Sequence, residues 1–282
     1  MKNFSDLVPL IIQEHLLDEE VNYIKKVFDS FNGYPTLEEL WELMDKEWIA
    51  LGCNPNVLDE RVQKFYNHPV WLLNGLFIEQ HSQSIENRKL FTDWIQGKLP
   101  NRVADFGGGF GGLARLVGQA LPKAKIDVIE PHPRKSAVAM VANTPNVRFE
   151  KELTGSYDLI IATDVFEHVM DPIELVYKTS AYLKDGGIYL IANCFEPVIK
   201  CHLPQHYHLR DTWELAMQGM GLIPQKKVSY ATPFFKKGEL SLSSARKIEK
   251  ASLETWSYTR ILPKRLSKIL RNLIILKNHK KR

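Results

Sequence analysis

The sequence predicts an α/β fold: a mostly parallel sheet with helices on both faces, preceded by a helical region and followed by a basic helix. Three observations carry this expectation. From Arg102 onward short apolar runs alternate with helical stretches, the pattern of βαβ units. Residues 1–99 have apolar positions at helical spacing and nothing that alternates like a strand. From Arg260 to Arg282 nine lysines and arginines stand with no acid. The expected units are therefore a helical region over 1–99, a sheet domain over 100–259 and a basic amphipathic tail over 260–282. The first of these would serve as a lid or as an element for forming a homodimer.

Composition narrows the classes. A chain of 282 residues holds one large domain or two modest ones, and 44% apolar with 25% charged residues is ordinary for a globular protein. The apolar run Leu7–Ile12 is broken by Pro9 and flanked by Asp6 and Glu14, which argues against a signal peptide. No stretch approaches the roughly 18 apolar residues of a membrane span. Cys53, Cys194 and Cys201 are odd in number and lack metal-site spacing, which suits a reducing cytoplasm. Outside the tail, 28 basic and 33 acidic side chains leave a mildly acidic body, so no nucleic-acid footprint is expected.

Along the chain, Thr36-Leu37-Glu38-Glu39 forms a capping box that opens a helix through Leu40, Leu43, Met44 and Ile49, with Gly52 as its stop. Pro69 starts the next helix, and Ile85, Leu90, Phe91, Trp94 and Ile95 mark another. Strands are expected at 102–106, 125–130, 147–149, 157–163 and 187–193. Helices are expected at 112–120, 133–143, 171–183 and 211–220. Asp171-Pro172 supplies an N-cap with proline at the first helical position. After Pro233 the reading is a last strand in "ETWSYTRIL".

The stretch "VADFGGGFGGLARL", Val103 to Leu116, ends a strand in five glycines over six positions and opens a helix. Such a turn brings backbone N–H groups and a helix N-terminus to whatever lies above it. Gly107, Gly109 and Gly112 satisfy the G-x-G-x-x-G of dinucleotide binding. Asp105, Gly107, Gly109 and Gly111 equally form D-x-G-x-G-x-G. The next strand ends at Glu130, an acid positioned for ribose hydroxyls. On these residues alone a dinucleotide remains open, although no Tyr-x-x-x-Lys occurs to run one common dehydrogenase chemistry.

Three further stretches follow in order: "YDLIIATDVFEHV" (157–169), "AYLKDGGIYLIAN" (181–193) and "HLRDTWELAMQGMGL" (208–222). With the glycine turn, residues 100–232 resemble the class I S-adenosylmethionine-dependent methyltransferases, whose sheet is Rossmann-like. The resemblance implies S-adenosylmethionine as cofactor. It places Asp105, Phe106, Gly107, Gly108 and Gly109 against the methionine and ribose part. It gives Glu130, followed by Pro131, the ribose hydroxyls, and puts Asp164 and Val165 near the sulfonium. Glu150 or Glu152 would meet the adenine.

The implied reaction is methyl transfer, most naturally to an oxygen of a glycan or lipid-linked sugar or of a small biosynthetic metabolite. The alternatives are a nicotinamide-dependent oxidoreductase and a catalytically silent nucleotide-binding module. A hydroxyl acceptor must lose a proton, and histidine is the side chain whose ordinary pKa suits that task near neutrality. His206 and His208, in "CHLPQHYHLR", are the first choice of base, with His168 beside Glu167 as another. No metal is expected, on the reading that His206 and His208 are too close to chelate easily and that no carboxylate is nearby. Trp41, Trp48, Tyr66, Trp71, Phe77 and Trp94 either form a helical core or wall an acceptor pocket. In the tail, Leu266, Ile269, Leu270 and Leu273 interleave with Lys264, Arg265, Lys268 and Arg271, which fits either peripheral contact with an anionic membrane or packing on the domain itself.

Overall fold

The computed structural model describes residues 4–280. The first seven helices are α1 (Phe4–Leu7), α2 (Leu10–Gln13), α3 (Asp18–Phe31), α4 (Leu37–Ala50), α5 (Glu60–Asn67), α6 (Pro69–Gln80) and α7 (Ser82–Gln96). The Thr36 capping box forms as read, its hydroxyl accepting from the Glu39 N–H and Glu39 accepting from the Thr36 N–H. Pro69 opens α6, where a missing N–H costs nothing.

The sheet domain then runs β1 (Arg102–Phe106), α8 (Gly112–Ala120), β2 (Lys125–Ile129), α9 (Lys135–Val141), β3 (Val147–Glu150), β4 (Tyr157–Thr163), a 3-10 turn (Phe166–His168), α10 (Pro172–Ser180) and β5 (Leu183–Ala192). A second 3-10 segment (Pro204–Asp211) leads into α11 (Trp213–Met220), β6 (Leu222–Pro224), β7 (Thr232–Lys236), α12 (Leu242–Thr259) and α13 (Lys264–Lys280). The strand order is β3-β2-β1-β4-β5-β7-β6, parallel from β3 to β5 and antiparallel at β7 and β6. Successive residues of β4 feed opposite layers: Leu159 and Ile161 pack toward α7, α8 and α9, Ile160 and Ala162 toward α10, α11 and α12. Both faces are covered, which is why the strands read as continuous apolar runs.

The expected last strand in "ETWSYTRIL" is wrong. Glu254–Thr259 complete α12, and the sheet's final antiparallel strand is β7, at Thr232–Lys236. Thr255 and Thr259 simulate a strand pattern in sequence, but their hydroxyls bond back to the Ala251 and Thr255 carbonyls, which satisfies them inside a helix.

The tail packs on the domain itself, one of the two readings left open for it. Arg271 is fully buried: its guanidinium bonds the Ser252 hydroxyl (2.6 Å), Asp211 (3.2 Å) and the His208 carbonyl, and stacks over Trp256. Ser267, Arg271 and Ile275, four residues apart, form the packed face of α13. Leu266, Ile269, Leu270 and Leu273 point outward, between 40% and 61% exposed. Lys281 and Arg282 lie outside the described residues. Among the described residues no helix is long and apolar enough to cross a membrane.

Candidate active site

The strand order reverses between β1 and β4, and in open α/β sheets ligands bind beyond the strand ends at that switch point. The glycine turn lies there. Gly107, Gly109 and Gly111 all have positive φ (71°, 54° and 68°), a backbone region that favours glycine. A Cβ on Gly107 would lie 2.7 Å from Val165, whereas one on Gly109 would meet nothing within 4 Å. Gly109 thus faces open space above the strand ends. Gly111 caps α8 and its N–H returns to the Gly108 carbonyl at 2.8 Å, closing the turn.

Asp105 sits under this turn, 2% exposed, with one carboxylate oxygen lacking any partner. Burial pushes its pKa up to about 7. The rest of the expected set lines the same rim. Phe106 ends β1, and Glu130 follows β2, its N–H bonded to the Glu150 carbonyl at 3.0 Å. Pro131 is exposed beyond it. Of the two acids expected near an adenine, Glu150 pairs with Arg148 at 3.0 Å, while Glu152 is exposed just past β3.

Asp164 follows β4 with φ +54°, unusual for a residue with a side chain and typical of sites held by their surroundings. Its N–H bonds the Ala192 carbonyl and its carboxylate accepts from the Tyr230 hydroxyl at 3.3 Å. Surrounding protein raises its pKa, an effect that its contact with solvent limits. A carboxylate beneath the turn, open space above Gly109 and an acid at Glu130 fit an adenosyl amino acid, which offers an ammonium and ribose hydroxyls to match.

Next to this cradle the chain gathers three side chains. Glu167 is 1% exposed; one oxygen accepts from the Cys194 N–H at 2.8 Å and the other has no partner. Burial, then the Asp164 charge, push its pKa up to about 8. His168 Nδ1 bonds the Cys201 carbonyl at 3.1 Å, and His202 Nδ1 bonds the Glu196 carbonyl at 2.9 Å. A carbonyl only accepts, so both rings carry their proton on Nδ1 and leave Nε2 with a free lone pair. Burial holds the pKa of both histidines below the usual range. One ligand-capable atom from each of Glu167, His168 and His202 lies within 4.8 Å of the others.

Tyr66 and Trp71 present their rings edge-on to His168, with centroids at 6.3 and 6.1 Å, and the Trp71 indole N–H has no partner. Both come from α5 and α6, so the N-terminal helices wall the site. Arg134, at the start of α9, pairs with Glu20 of α3 and donates to the Asn67 and His68 carbonyls, tying those helices to the rim beyond β2. Trp48 and Phe77, by contrast, are core. Trp41 packs beside that core and Trp94 on the layer around α8.

The favoured histidines do not reach the cluster. His208 is 4% exposed and bonds Ser252 at 2.9 Å, and burial plus the Arg271 charge lower its pKa to about 4. It belongs to the packing of α12 and α13. His206 is also buried, with Nε2 on the Val169 carbonyl at 2.7 Å and its ring near Phe195. The premise that no carboxylate neighbours this stretch also falls, because Glu167 stands beside His202 in space. Sequence reasoning passed over Glu167 and Tyr230 as site residues, and took His202 only as a member of the "CHLPQHYHLR" cluster, behind His206 and His208. For Glu167 the adjacent His168 was the available signal; Tyr230 offered none.

A family model described as a methyltransferase domain matches residues 76–232, more than half of the chain. Malonyl-[acyl-carrier protein] O-methyltransferase of Halalkalibacterium halodurans is 30% identical over 140 residues, covering 45% of this chain and 49% of that protein. Trans-aconitate 2-methyltransferase of Deinococcus radiodurans is 26% identical over 121 residues, 40% of this chain and 47% of the relative. Ubiquinone biosynthesis O-methyltransferase of Albidiferax ferrireducens is 27% identical over 139 residues, 43% and 51% respectively. The matched stretch spans about half the length of each of these relatives.

Proposed function

The chain belongs to the class I S-adenosylmethionine-dependent methyltransferases, and from that premise we propose that it methylates an oxygen of a ring-bearing small molecule or lipid-linked sugar. When bound, S-adenosylmethionine supplies an electrophilic methyl group on a sulfonium sulfur. Gly107 to Gly109 would lie under its amino-acid part, Asp105 would answer its ammonium, and Glu130 would accept from its ribose hydroxyls. Asp164 and Val165 would border the sulfonium.

The observation that carries the oxygen reading is the convergence of Glu167, His168 and His202 three to four residues beyond Asp164 and across from it in the next loop. A neutral amine needs no base, whereas a hydroxyl must lose its proton before or during transfer. A cluster of free imidazole lone pairs and a carboxylate beside the donor cradle supports that task. Of the expected histidines, this reading keeps His168 and gives His206 and His208 to the packing. Tyr66 and Trp71 suit the flat or CH-rich face of a ring, and the free indole N–H suits an acceptor oxygen. Two of the named relatives are O-methyltransferases, which agrees.

The test offers labelled methyl donor with phenols, sugars, carboxylic acids and amines. His168→Ala should lower transfer to the oxygen acceptor by about a hundredfold, the scale of general acid–base assistance, while S-adenosylhomocysteine binding stays within a few-fold. Transfer to amines alone would contradict the oxygen reading.

The same proposal places the chain at an anionic membrane surface. Four apolar side chains of α13 face outward beside Lys268 and Arg265, the arrangement of a helix lying in a lipid interface. Vesicles rich in phosphatidylglycerol should retain the protein in a salt-sensitive way, and Ile269→Ser with Leu273→Ser should release it. Equal recovery with neutral vesicles would count against it.

A further inference from the structure

We infer that Glu167, His168 and His202 form a binding site for a single divalent transition-metal ion, of which zinc is the model. This rests on the preceding reading of the cluster as the place where the acceptor hydroxyl is activated, and supplies the means.

Four features of the cluster argue for an ion. Each histidine has Nδ1 anchored by a backbone carbonyl, Cys201 for one and Glu196 for the other. That is the outer-shell bond which fixes a metal-ligating imidazole's tautomer and leaves Nε2 as the nitrogen free to bind. Glu167 carries a carboxylate oxygen that is buried and unpartnered, an arrangement costly to maintain unless something satisfies it. The charge is also of the right sign: Asp164 adds a second carboxylate nearby, and among the described residues no lysine or arginine pairs with either acid. Finally, the donor set is specific. Two imidazoles and one carboxylate suit zinc and its neighbours rather than magnesium or calcium, which prefer oxygen shells.

Donor atoms around a tetrahedral zinc, at bonds of about 2.0–2.2 Å, stand closer together than the 4.8 Å limit of this cluster. Binding would draw the three side chains inward. With three protein ligands the ion keeps an open position, as catalytic sites do. An acceptor oxygen there would be more acidic, because a Lewis acid lowers the pKa of a bound hydroxyl. The Tyr66 and Trp71 walls stand beside it.

The experiment uses the full chain, stripped with a chelator and titrated with Zn²⁺ by calorimetry, with Mg²⁺ and Ca²⁺ in parallel. The expected result is one Zn²⁺ per chain with a dissociation constant of about 1 μM or tighter, and a melting midpoint raised by a few degrees. Glu167→Gln, which keeps the acceptor for the Cys194 N–H, and His202→Ala should each weaken Zn²⁺ at least tenfold; His206→Ala should not.

S-adenosylhomocysteine affinity, measured on the same samples, reports whether each variant is folded. No stoichiometric Zn²⁺, tighter Mg²⁺ than Zn²⁺, or Zn²⁺ binding that survives both substitutions in a folded protein would overturn the site. Full oxygen methylation in excess chelator would remove its catalytic role yet leave the oxygen reading standing. Zn²⁺ binding lost in Glu167→Gln, with methyl transfer to nitrogen only, would uphold the site and sink the oxygen reading.

Discussion

At Gly109 the chain leaves open space directly above the sheet's switch point, in a backbone conformation with φ +54°. Gly109→Ala puts a methyl group into that space. It meets no protein atom, so folding should lose only about 1 kcal/mol for the left-handed backbone, while the affinity for S-adenosylhomocysteine falls at least tenfold. Unchanged affinity, by titration calorimetry, would remove the turn from the binding surface. Glu130→Ala deletes the carboxylate expected to take both ribose hydroxyls. Hydrogen bonds to a charged group contribute about 1.5–3 kcal/mol, so a loss of tenfold or more is expected.

These two residues were legible in sequence because a glycine cluster after a strand and an acid ending the next strand have fixed spacing. Glu167, His168 and His202 were less so. That His168 and His202, 34 residues apart, meet beside Glu167 depends on how the loop after β5 folds back over the turn after β4, where the Leu203 N–H bonds the Glu167 carbonyl at 3.0 Å.

At the scale of elements, two polar links hold the site's supports. Asp127 of β2, with no exposed side-chain surface, bonds Arg102 of β1, Arg148 of β3 and the Tyr157 hydroxyl of β4, joining four strands through one carboxylate. Its pKa is lowered in the fold by those three hydrogen bonds, which outweigh burial. A depressed carboxylate stabilises the fold above its unfolded pKa of about 3.9, and that contribution disappears as pH falls through the folded value. Asp127→Asn should therefore cost about 2–4 kcal/mol at neutral pH, and the gap to wild type should narrow below pH ~4, in urea unfolding followed across pH.

The second link is Arg271, which fastens α13 to α12 and the segment before α11. Arg271→Ala removes the bonds that α13 makes to Asp211, the Ser252 hydroxyl and the His208 carbonyl, so release of α13 and faster proteolysis around 260–263 are expected. Helix periodicity made α13 legible; its inward face was not. Four leucines and isoleucines would ordinarily turn to the core, but here a buried arginine finds Asp211, Ser252 and Trp256, and sequence alone could not show those partners assembled. The strand misread in "ETWSYTRIL" has a related cause, since β-branched and aromatic residues favour strands until tertiary packing assigns them to a helix.

The whole molecule consists of a doubly covered sheet and a wall of N-terminal helices that contributes to its site. Tyr66 and Trp71 stand over His168, Phe110 of the glycine turn packs against α6, and Arg134 ties the wall down beyond β2. The layers were readable from alternation alone. The wall's docking was not, because aromatic residues at helical spacing look the same in a core and in a pocket.

The chemistry of this chain depends on what occupies the space above the glycine turn. The most direct test is calorimetric titration of the full chain with S-adenosylhomocysteine, beside NAD and NADP, on wild type and Glu130→Ala. The structure predicts one S-adenosylhomocysteine per chain, an affinity at least tenfold weaker in Glu130→Ala, and no heat from either dinucleotide. Binding of a nicotinamide nucleotide in place of S-adenosylhomocysteine would contradict it.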